Sequence, residues 1–271
     1  MRGLTEEAIH SLGSPLARVV EVHGVLASTQ DRARELARAG SPHGTLVVAG
    51  IPTGGRGRLR RAWGSPAGGL WMSLVLRPDL EAAVAPRVTQ PAAVAVAKAL
   101  RGLGADVGIK WPNDLLAEPG GRKICGILAE SSLRPARPNE ASRVEHVILG
   151  VGLNANLDPK DLGVSDREVA TLRSELGHDA DTLDVLRRIL RNLQAELERI
   201  HDFAAVLEDW RALSLTLGER VLVRRSDGVL EGRALDISPE GALLLQTADG
   251  LVELYEGEVE QLRQDVGGRT V

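Results

Sequence analysis

The sequence has very little cysteine: Cys125 is the single one among 271 residues. One cysteine cannot form an internal disulfide, so the fold has to be stable without such cross-links, and a reducing cytoplasm is the expected location. No basic-then-apolar leader opens the chain, and no apolar run approaches the roughly 18 residues needed to cross a membrane. We therefore expect a cytoplasmic protein without a membrane anchor.

Lysine and aromatic residues are also scarce. Aromatic residues make up 2% of the chain, and only four of the 33 basic residues are lysines: Lys98, Lys110, Lys123 and Lys160. The arginine excess is typical of genome composition or heat adaptation, but it makes each rare lysine a candidate for a specific role. The net charge of −4 provides no overall field that would attract nucleic acid.

What the sequence does contain is a regular apolar pattern, with 43% hydrophobic residues, enough to form a core. Between residues 19 and 214 it predicts one large domain that contains both strands and helices. The predicted strands are 19–25, 46–51, 69–76, 107–111, 124–130 and 147–153, with the Pro119-Gly120-Gly121 turn joining the fourth strand to the fifth. The predicted helices are 28–38, 91–103, 182–200 and 203–213.

The pattern changes after Gly218 to short strands separated by hairpin turns, at 221–223, 229–237, 242–246 and 251–255. About fifty residues of this kind predict a small SH3-like β-barrel domain over 217–264. At the other end, residues 1–18 are expected to form a short extension with one helix within 4–12. This is too little for a DNA-binding domain, which needs several packed helices.

A loop rich in glycine and arginine follows the second strand, with the sequence Gly54-Gly55-Arg56-Gly57-Arg58-Leu59-Arg60-Arg61-Ala62-Trp63. Clustered like charges repel one another, and glycine loses much backbone entropy on ordering, so the empty loop is expected to be disordered. A carboxylate or phosphate would remove the repulsion and order the loop. Taken alone, the loop could equally be a solvated basic segment or a nucleic-acid patch.

Three further segments place polar residues at strand ends. Lys110-Trp111-Pro112-Asn113-Asp114 ends a strand with an amide beside a carboxylate, although such residues also build ordinary turns. Lys123 precedes the apolar run that contains Gly126, where a solvated lysine would be unremarkable. Gly150-Val151-Gly152-Leu153-Asn154 suggests either close approach of a ligand to the backbone or a β-bulge. None of these segments decides a function alone.

Their order along the chain, with Ser28-Thr29 upstream and a small barrel downstream, resembles the biotin protein ligase family over roughly residues 19–260. The resemblance implies an α+β fold: a catalytic domain with a mixed β-sheet flanked by helices, like class II synthetases, and a C-terminal SH3-like β-barrel. It also implies the reaction. Biotin is activated by ATP and Mg²⁺ as biotinyl-5′-AMP and is then transferred to a lysine of a biotin carboxyl carrier domain.

The resemblance further implies roles for individual residues. Lys123, Arg58 and Asp114 would be catalytic, with Asp114 orienting Lys123. Mg²⁺ would be held mainly by the ATP phosphates. The implied biotin-binding residues are Ser28, Thr29, Gln30, Gly55, Arg56, Gly57, Arg58, Lys123 and Gly126. The implied ATP- or adenylate-binding residues are Arg58, Arg61, Trp63, Asn113, Lys123 and Asn154.

Three positions depart from the family pattern. Gln30 stands where asparagine is usual, and Arg60 replaces a glycine of the loop. Pro52 stands where a glutamine commonly contacts biotin, and proline offers neither a polar side chain nor a backbone donor. We expect these changes to weaken biotin binding without changing the type of reaction.

Other functions remain open at this point. Lipoate–protein ligases are similar in fold and chemistry but lack the arginine loop and the Lys-Trp-Pro-Asn-Asp segment. A biotin-sensing regulator would need the DNA-binding domain that residues 1–18 are too short to form, so we expect no DNA binding. A non-catalytic module that uses the barrel is the third alternative. The family contains both monomers and dimers, so a homodimer is possible.

Overall fold

A computed structural model describes residues 3–55, 57, 63–134, 141–162 and 169–262. Two β-sheets organise these residues, a seven-stranded sheet in the large domain and a five-stranded sheet after it. Within the described part of the chain, none of the helices has the length and apolar character that a membrane crossing requires.

The large sheet is mixed, as expected, with the strand order β1-β2-β3-β7-β6-β5-β4. β1 and β2 are parallel, and every other neighbouring pair is antiparallel. The strands are β1 (Val19–Leu26), β2 (Thr45–Pro52), β3 (Leu70–Leu76), β4 (Val107–Lys110), β5 (Asp114–Ala117), β6 (Arg122–Leu133) and β7 (Val144–Leu153).

The helices cover this sheet because their apolar faces need a partner. The α-helices of the chain are α1 (Glu6–His10), α2 (Thr29–Arg38), α3 (Thr89–Arg101), α4 (Leu172–Leu176), α5 (Thr182–Glu198) and α6 (Phe203–Leu213). Short 3₁₀ segments span Pro15–Ala17, Ala82–Val88, Pro159–Leu162 and Arg199–His201. The Ala- and Val-rich α3 is almost entirely buried, between the sheet and helices α5 and α6. Every residue of β3 is buried as well, which explains why six of its seven residues are apolar.

The ends of α2 follow from local chemistry. The Ser28 hydroxyl accepts a hydrogen bond from the Asp31 backbone N–H at 3.2 Å, which confirms the predicted N-terminal cap. Beyond Arg38 the chain turns at Gly40, which has φ 88°, a conformation that glycine adopts without steric cost. This cap places Ser28 and Thr29 at one end of the helix, beside β3.

One prediction about this domain is wrong. The turn at Pro119-Gly120-Gly121 was expected to join the strand beginning at Val107 to the one beginning at Ile124, but the four-residue strand β5 lies between them. The turn therefore joins β5 to β6, while residues 111–113 form the turn between β4 and β5. β5 is too short to show a periodic pattern, and it is defined by its pairing with β4 and β6.

The first described residues pack against the large domain. Ile9 of α1 is fully buried in the main core, and the Glu6 carboxylate accepts a hydrogen bond from the Val22 N–H of β1. One buried apolar cluster includes both Leu4 and Val259. The domain boundaries predicted at residues 18/19 and 214/217 therefore lie within a continuous core, and they stay predictions.

The C-terminal domain is a five-stranded antiparallel sheet with the order β11-β10-β9-β8-β12. Its strands are β8 (Arg220–Arg225), β9 (Gly228–Ile237), β10 (Leu243–Thr247), β11 (Gly250–Leu254) and β12 (Glu258–Gln261). Within the described residues the end strands β11 and β12 are not paired, so the sheet is open, in an order consistent with an SH3-like domain. The sequence patterns missed β12.

This domain docks directly on the large one. The Leu215 N–H donates to the Ile109 carbonyl at 2.8 Å, and the Trp111 N–H donates to the buried Thr216 hydroxyl at 2.9 Å. Arg211 of α6 pairs with Asp236 of β9 through two hydrogen bonds. These contacts hold β4, Trp111 after it and helix α6 against the start of the second domain and β9.

Candidate active site

A cavity of about 360 Å³ opens where the turns and ends of the large sheet meet β12 of the small domain. Its walls combine apolar side chains, a few polar groups and several glycines. The lining is Ser28, Thr29, Gln30, Pro52, Gly55, Gly57, Trp63, Ser65, Trp71, Met72, Ser73, Lys110, Trp111, Pro112, Asn113, Asp114, Lys123, Gly126, Ile127, Leu128, Gly150, Val151, Gly152, Gly257, Glu258 and Val259. A largely apolar wall with few polar groups is typical of a small-molecule site.

Lys123 is the central charge of this cavity. Its Nζ atom lies 2.7 Å from Asp114 Oδ2, so the predicted pair between these two residues is formed. The same ammonium group lies 4.6 Å from the centroid of the Trp63 ring, within the range of a cation–π contact. The carboxylate and the ring together fix the position of a cation in a partly buried site.

Glycines provide the space for the Trp63 ring. Gly126 of β6 and Gly152 of β7 are direct neighbours across the two strands. A Cβ atom added to Gly126 would lie 3.1 Å from the Trp63 ring, and one added to Gly152 would lie 3.1 Å from Trp63 Nε1. The glycines at these strand positions therefore allow a close approach over β6 and β7, in this structure by Trp63, and they do not mark a β-bulge.

Ser28, Thr29 and Gln30 lie on a different wall, at the start of α2. The side chain of Thr29 contacts Ser73 of β3, with 2.9 Å between the hydroxyl oxygens. Gln30 is the next residue, and its Nε2 donates to Glu130 Oε2 at 2.9 Å and to the Ile148 carbonyl at 3.1 Å. Gly150 makes room for Gln30, because a Cβ there would lie 2.6 Å from Gln30 Oε1.

The two predicted asparagines occupy different places. Asn113 lines the cavity, and its Nδ2 donates to the Ile127 carbonyl at 2.6 Å, which ties the turn to β6. Asn154 is 2% exposed and is not among the residues that line the cavity. Its side chain donates to the carbonyls of Ala170 and Lys123 at 3.1 and 3.4 Å, and so anchors the backbone of Lys123. Its contact with the nucleotide stays a prediction.

Of the arginine loop, the structure describes Gly54, Gly55, Gly57 and Trp63. Arg56, Arg58, Arg60 and Arg61 lie outside the described residues, as does the predicted ordering of the loop on anion binding. The two ends meet, because the Trp63 N–H donates to the Gly55 carbonyl at 2.9 Å. A Cβ on Gly55 would lie 2.7 Å from the Trp63 carbonyl oxygen, so this closure requires glycine.

Neither a reactive thiol nor a cluster of metal ligands is found among the described residues. Cys125 is completely buried, and burial strongly raises the pKa of its thiol, which removes it as a thiolate nucleophile at neutral pH. Among the described residues no three His, Cys, Asp or Glu side chains group into a metal site. The charged and polar groups that line the cavity include the Lys123 ammonium, its carboxylate partner Asp114 and several hydrogen-bonding side chains.

Sequence patterns missed several residues of the cavity. Ser73 could have been found, since it is the one polar residue of the apolar strand β3. Trp111 lies within the Lys110–Asp114 segment but was given no role of its own, and Trp71 was not predicted to lie in the site. Glu258 of β12 reaches the cavity from the second domain, and no local pattern indicated it.

Comparison with known proteins matches both domains. Residues 23–154 match the Biotin/lipoate A/B protein ligase family, and residues 216–261 match the Biotin protein ligase C terminal domain. The Bifunctional ligase/repressor BirA of Bacillus subtilis is 39% identical over 243 residues, which cover 88% of this chain and 72% of that protein. The chain belongs to the biotin protein ligase family.

Two further relatives agree with this family. The Biotin–[acetyl-CoA-carboxylase] ligase of Paracoccus denitrificans is 34% identical over 245 residues, covering 86% of this chain and 96% of the relative. The biotin protein ligase from Aquifex aeolicus in complex with biotin and ATP superposes with a TM-score of 0.72 at 27% identity, covering 91% of this chain and all of that one. The predicted fold class is confirmed by this structural similarity.

Proposed function

We propose that this protein is an ATP-dependent biotin ligase that forms biotinyl-5′-AMP and transfers biotin to a lysine of a biotin carboxyl carrier domain. The observation that carries the proposal is the 2.7 Å pair of Lys123 and Asp114 beneath Trp63, in a cavity whose other wall holds Ser28 and Thr29. Relatives named as biotin ligases and a similar structure with biotin and ATP favour biotin over lipoate.

The first step forms one bond and breaks one. A carboxylate oxygen of biotin attacks the α-phosphorus of ATP, and the bond between the α-phosphorus and its bridging oxygen breaks to release pyrophosphate. Negative charge is greatest around the α-phosphate as this occurs. Lys123, held by Asp114, would stabilise it from a fixed position, and preorganised charge of this kind is a large contribution to catalysis.

In the second step the neutral amine of the carrier lysine attacks the carbonyl carbon of the adenylate. An amide bond forms, the bond to the phosphate oxygen breaks, AMP leaves with both electrons, and the amine loses a proton to solvent or to a nearby base. The cavity contributes position and charge to this step and forms no covalent bond itself.

The resemblance assigns the binding of the nucleotide and the carboxylate to arginines of the loop, which lie outside the described residues, and to Trp63. Arg58 would face the carboxylate and the α-phosphate, Arg56 would close over biotin, and Arg61 would contact the nucleotide, with Trp63 against adenine. Arginine suits these roles because its planar group binds anionic oxygens in pairs. Mg²⁺ would be held mainly by the ATP phosphates, as the resemblance implies.

The remaining predictions concern partners and location. We propose that the carrier domain binds beside the cavity, whose lining includes Glu258 of β12. Three properties stay predictions from the sequence: that the protein does not bind DNA, that it can form a homodimer, and that it is located in the cytoplasm.

Isotope exchange tests the proposal without the need to know the carrier. Purified protein is mixed with Mg-ATP and radiolabelled pyrophosphate, and incorporation of label into ATP is measured with and without biotin. Biotin-dependent exchange is the expected result. Exchange that requires lipoate instead would support the rival ligase, and no exchange with either acid from folded protein would contradict an adenylating enzyme.

A further inference from the structure

The amide of Gln30 has a fixed orientation. Gln30 is 7% exposed, and its Nε2 lies 2.9 Å from Glu130 Oε2 and 3.1 Å from the Ile148 carbonyl. Both partners are acceptors, and Glu130 is also paired with the Arg34 guanidinium. The NH₂ end of the amide must therefore point toward them, which leaves Oε1 on the side of Ser73.

This orientation determines the direction of the next hydrogen bonds. Ser73 is fully buried, and its hydroxyl oxygen lies 3.0 Å from Gln30 Oε1 and 2.9 Å from Thr29 Oγ1. A serine hydroxyl has one hydrogen, and the carbonyl oxygen of Gln30 can only accept, so Ser73 donates to Gln30. Thr29 must then donate its own hydrogen to Ser73. Only the lone pairs of Thr29 remain for the cavity.

Ser28, the adjacent residue, has the opposite character. Its hydroxyl oxygen already accepts from the Asp31 N–H at the start of α2. In the described part of the chain, no hydrogen bond from the Ser28 hydroxyl to an acceptor is observed. Two neighbouring hydroxyls on one wall thus offer a donor at Ser28 and an acceptor at Thr29.

We propose that Ser73, Gln30 and Glu130 are positioning residues that make Thr29 an obligate acceptor. The pair of Ser28 and Thr29 then selects a ligand with a carbonyl oxygen beside an N–H, as in the cyclic urea of biotin. This inference rests on the proposed function. It also gives Gln30 a role that its longer stem permits, since the amide reaches past Gly150 to β6.

Titration calorimetry with biotin and two analogues tests the proposal. In each analogue one of the two ureido N–H groups is replaced by an ether oxygen, which gives a cyclic carbamate. The wild-type protein should bind at least one carbamate about tenfold or more weakly than biotin, because an oxygen would then face the Thr29 lone pairs. In Ser73→Ala the Thr29 hydrogen is free to turn toward the ligand. The preference for biotin over that carbamate should then fall to about twofold.

Two more variants keep the test decisive. Ser238→Ala removes another buried serine, which lies in the small domain and is 3% exposed. It should leave the ratio of the carbamate Kd to the biotin Kd unchanged. Gln30→Met removes the acceptor of the Ser73 hydrogen and should reduce the ratio as Ser73→Ala does, which provides the answer if the serine variant does not fold.

The outcomes separate the two proposals. Equal weakening of biotin and carbamates by Ser73→Ala, with the wild-type ratio retained, would show that Ser73 acts only in packing and would overturn the inference. Equal binding of biotin and both carbamates by the wild type would overturn it too. Failure of the folded wild type to bind biotin at all would instead contradict the proposed function.

Discussion

The ammonium nitrogen of Lys123 lies 4.6 Å from the centroid of the Trp63 ring. The Asp114 carboxylate holds the same nitrogen at 2.7 Å, so the cation is fixed by a charge and covered by an aromatic face. A cation that is already in position needs little reorganisation when negative charge develops beside it.

Replacement of this lysine should therefore affect the rate far more than stability. Lys123→Ala is expected to lower biotin-dependent pyrophosphate exchange by about a hundredfold or more, the loss typical for one preorganised electrostatic group. Lys160→Ala removes an exposed lysine and serves as the control, with exchange unchanged. If both variants lost exchange equally, Lys123 would not be the centre of the reaction.

The glycines beneath Trp63 provide a second prediction. In Gly152→Ala the added Cβ would lie 3.1 Å from Trp63 Nε1 and 3.5 Å from Trp71, so the Trp63 ring must move. We expect KM for ATP and biotin in the exchange assay to rise by several-fold. Gly24→Ala, on β1, meets nothing within 4 Å and should leave both KM values unchanged. Normal KM values in Gly152→Ala would show that the position of the ring does not matter.

Local sequence patterns were sufficient for elements with a strong apolar signal. The apolar strand β3 and the helix α6 were both predicted to within a residue of their observed bounds. A four-residue strand carries little periodic signal, so such strands are found unreliably: β4 was predicted, but β5 and β12 were missed. Such strands are defined by their partners, and a local pattern does not reveal strand pairing.

The residues of the site divide in the same way, into those that local motifs reveal and those that only the tertiary structure reveals. Lys123, Asp114, Ser28 and Thr29 belong to recognisable motifs, and all four line the cavity. Ser73 contributes because β3 lies beside α2 and next to β7, a relationship that only the tertiary structure provides. Asn154, in contrast, matched a motif and yet lies behind the cavity wall, where it binds backbone carbonyls.

The contact between the domains should matter for binding as well as stability. Thr216→Val removes the acceptor of the buried Trp111 N–H, which should lower the free energy of unfolding by about 2 kcal/mol. Because Trp111 and Pro112 line the cavity, the Kd for biotin should also rise. Thr45→Val, at an equally buried threonine whose hydroxyl donates to Pro42, should destabilise the protein without changing Kd. Equal Kd values for biotin in Thr216→Val and Thr45→Val would contradict a link between the domain contact and biotin binding.

Acid stability should depend on Asp209. Hydrogen bonds from Lys98, and then from Arg199, lower the pKa of this carboxyl from its usual 3.8. A lowered folded pKa contributes stability above the unfolded value, and that stability is lost as the pH falls through the folded value. Asp209→Asn should therefore lower the free energy of unfolding by about 1 kcal/mol at pH 7, a modest value because the carboxylate is partly exposed.

As the pH is lowered, the free energy of unfolding of Asp209→Asn should fall less steeply than that of the wild type. Urea unfolding from pH 7 down to pH 3 should show the difference between the wild type and Asp209→Asn shrinking below about pH 4. Asp179→Asn, at an exposed partner of Arg173, is the matched control and should follow the wild-type curve. A difference that stayed constant with pH would mean that Asp209 contributes through packing alone.

Pro52 is the departure from the family pattern that the structure makes easiest to test. It is the last residue of β2 and lines the cavity. The hydrogen bond to β1 at this point is made by the next residue, with the Thr53 N–H donating to the Leu26 carbonyl at 2.9 Å. The strand therefore tolerates a residue without an N–H.

Pro52→Gln should keep the fold and add a polar side chain that can reach the ligand. One new hydrogen bond, worth about 1 kcal/mol, would lower the Kd for biotin about fivefold. Pro52→Leu, which adds no donor, separates this effect from the loss of proline: calorimetry should show tighter binding for glutamine only, and equal affinities in the two variants would mean that position 52 does not contact biotin.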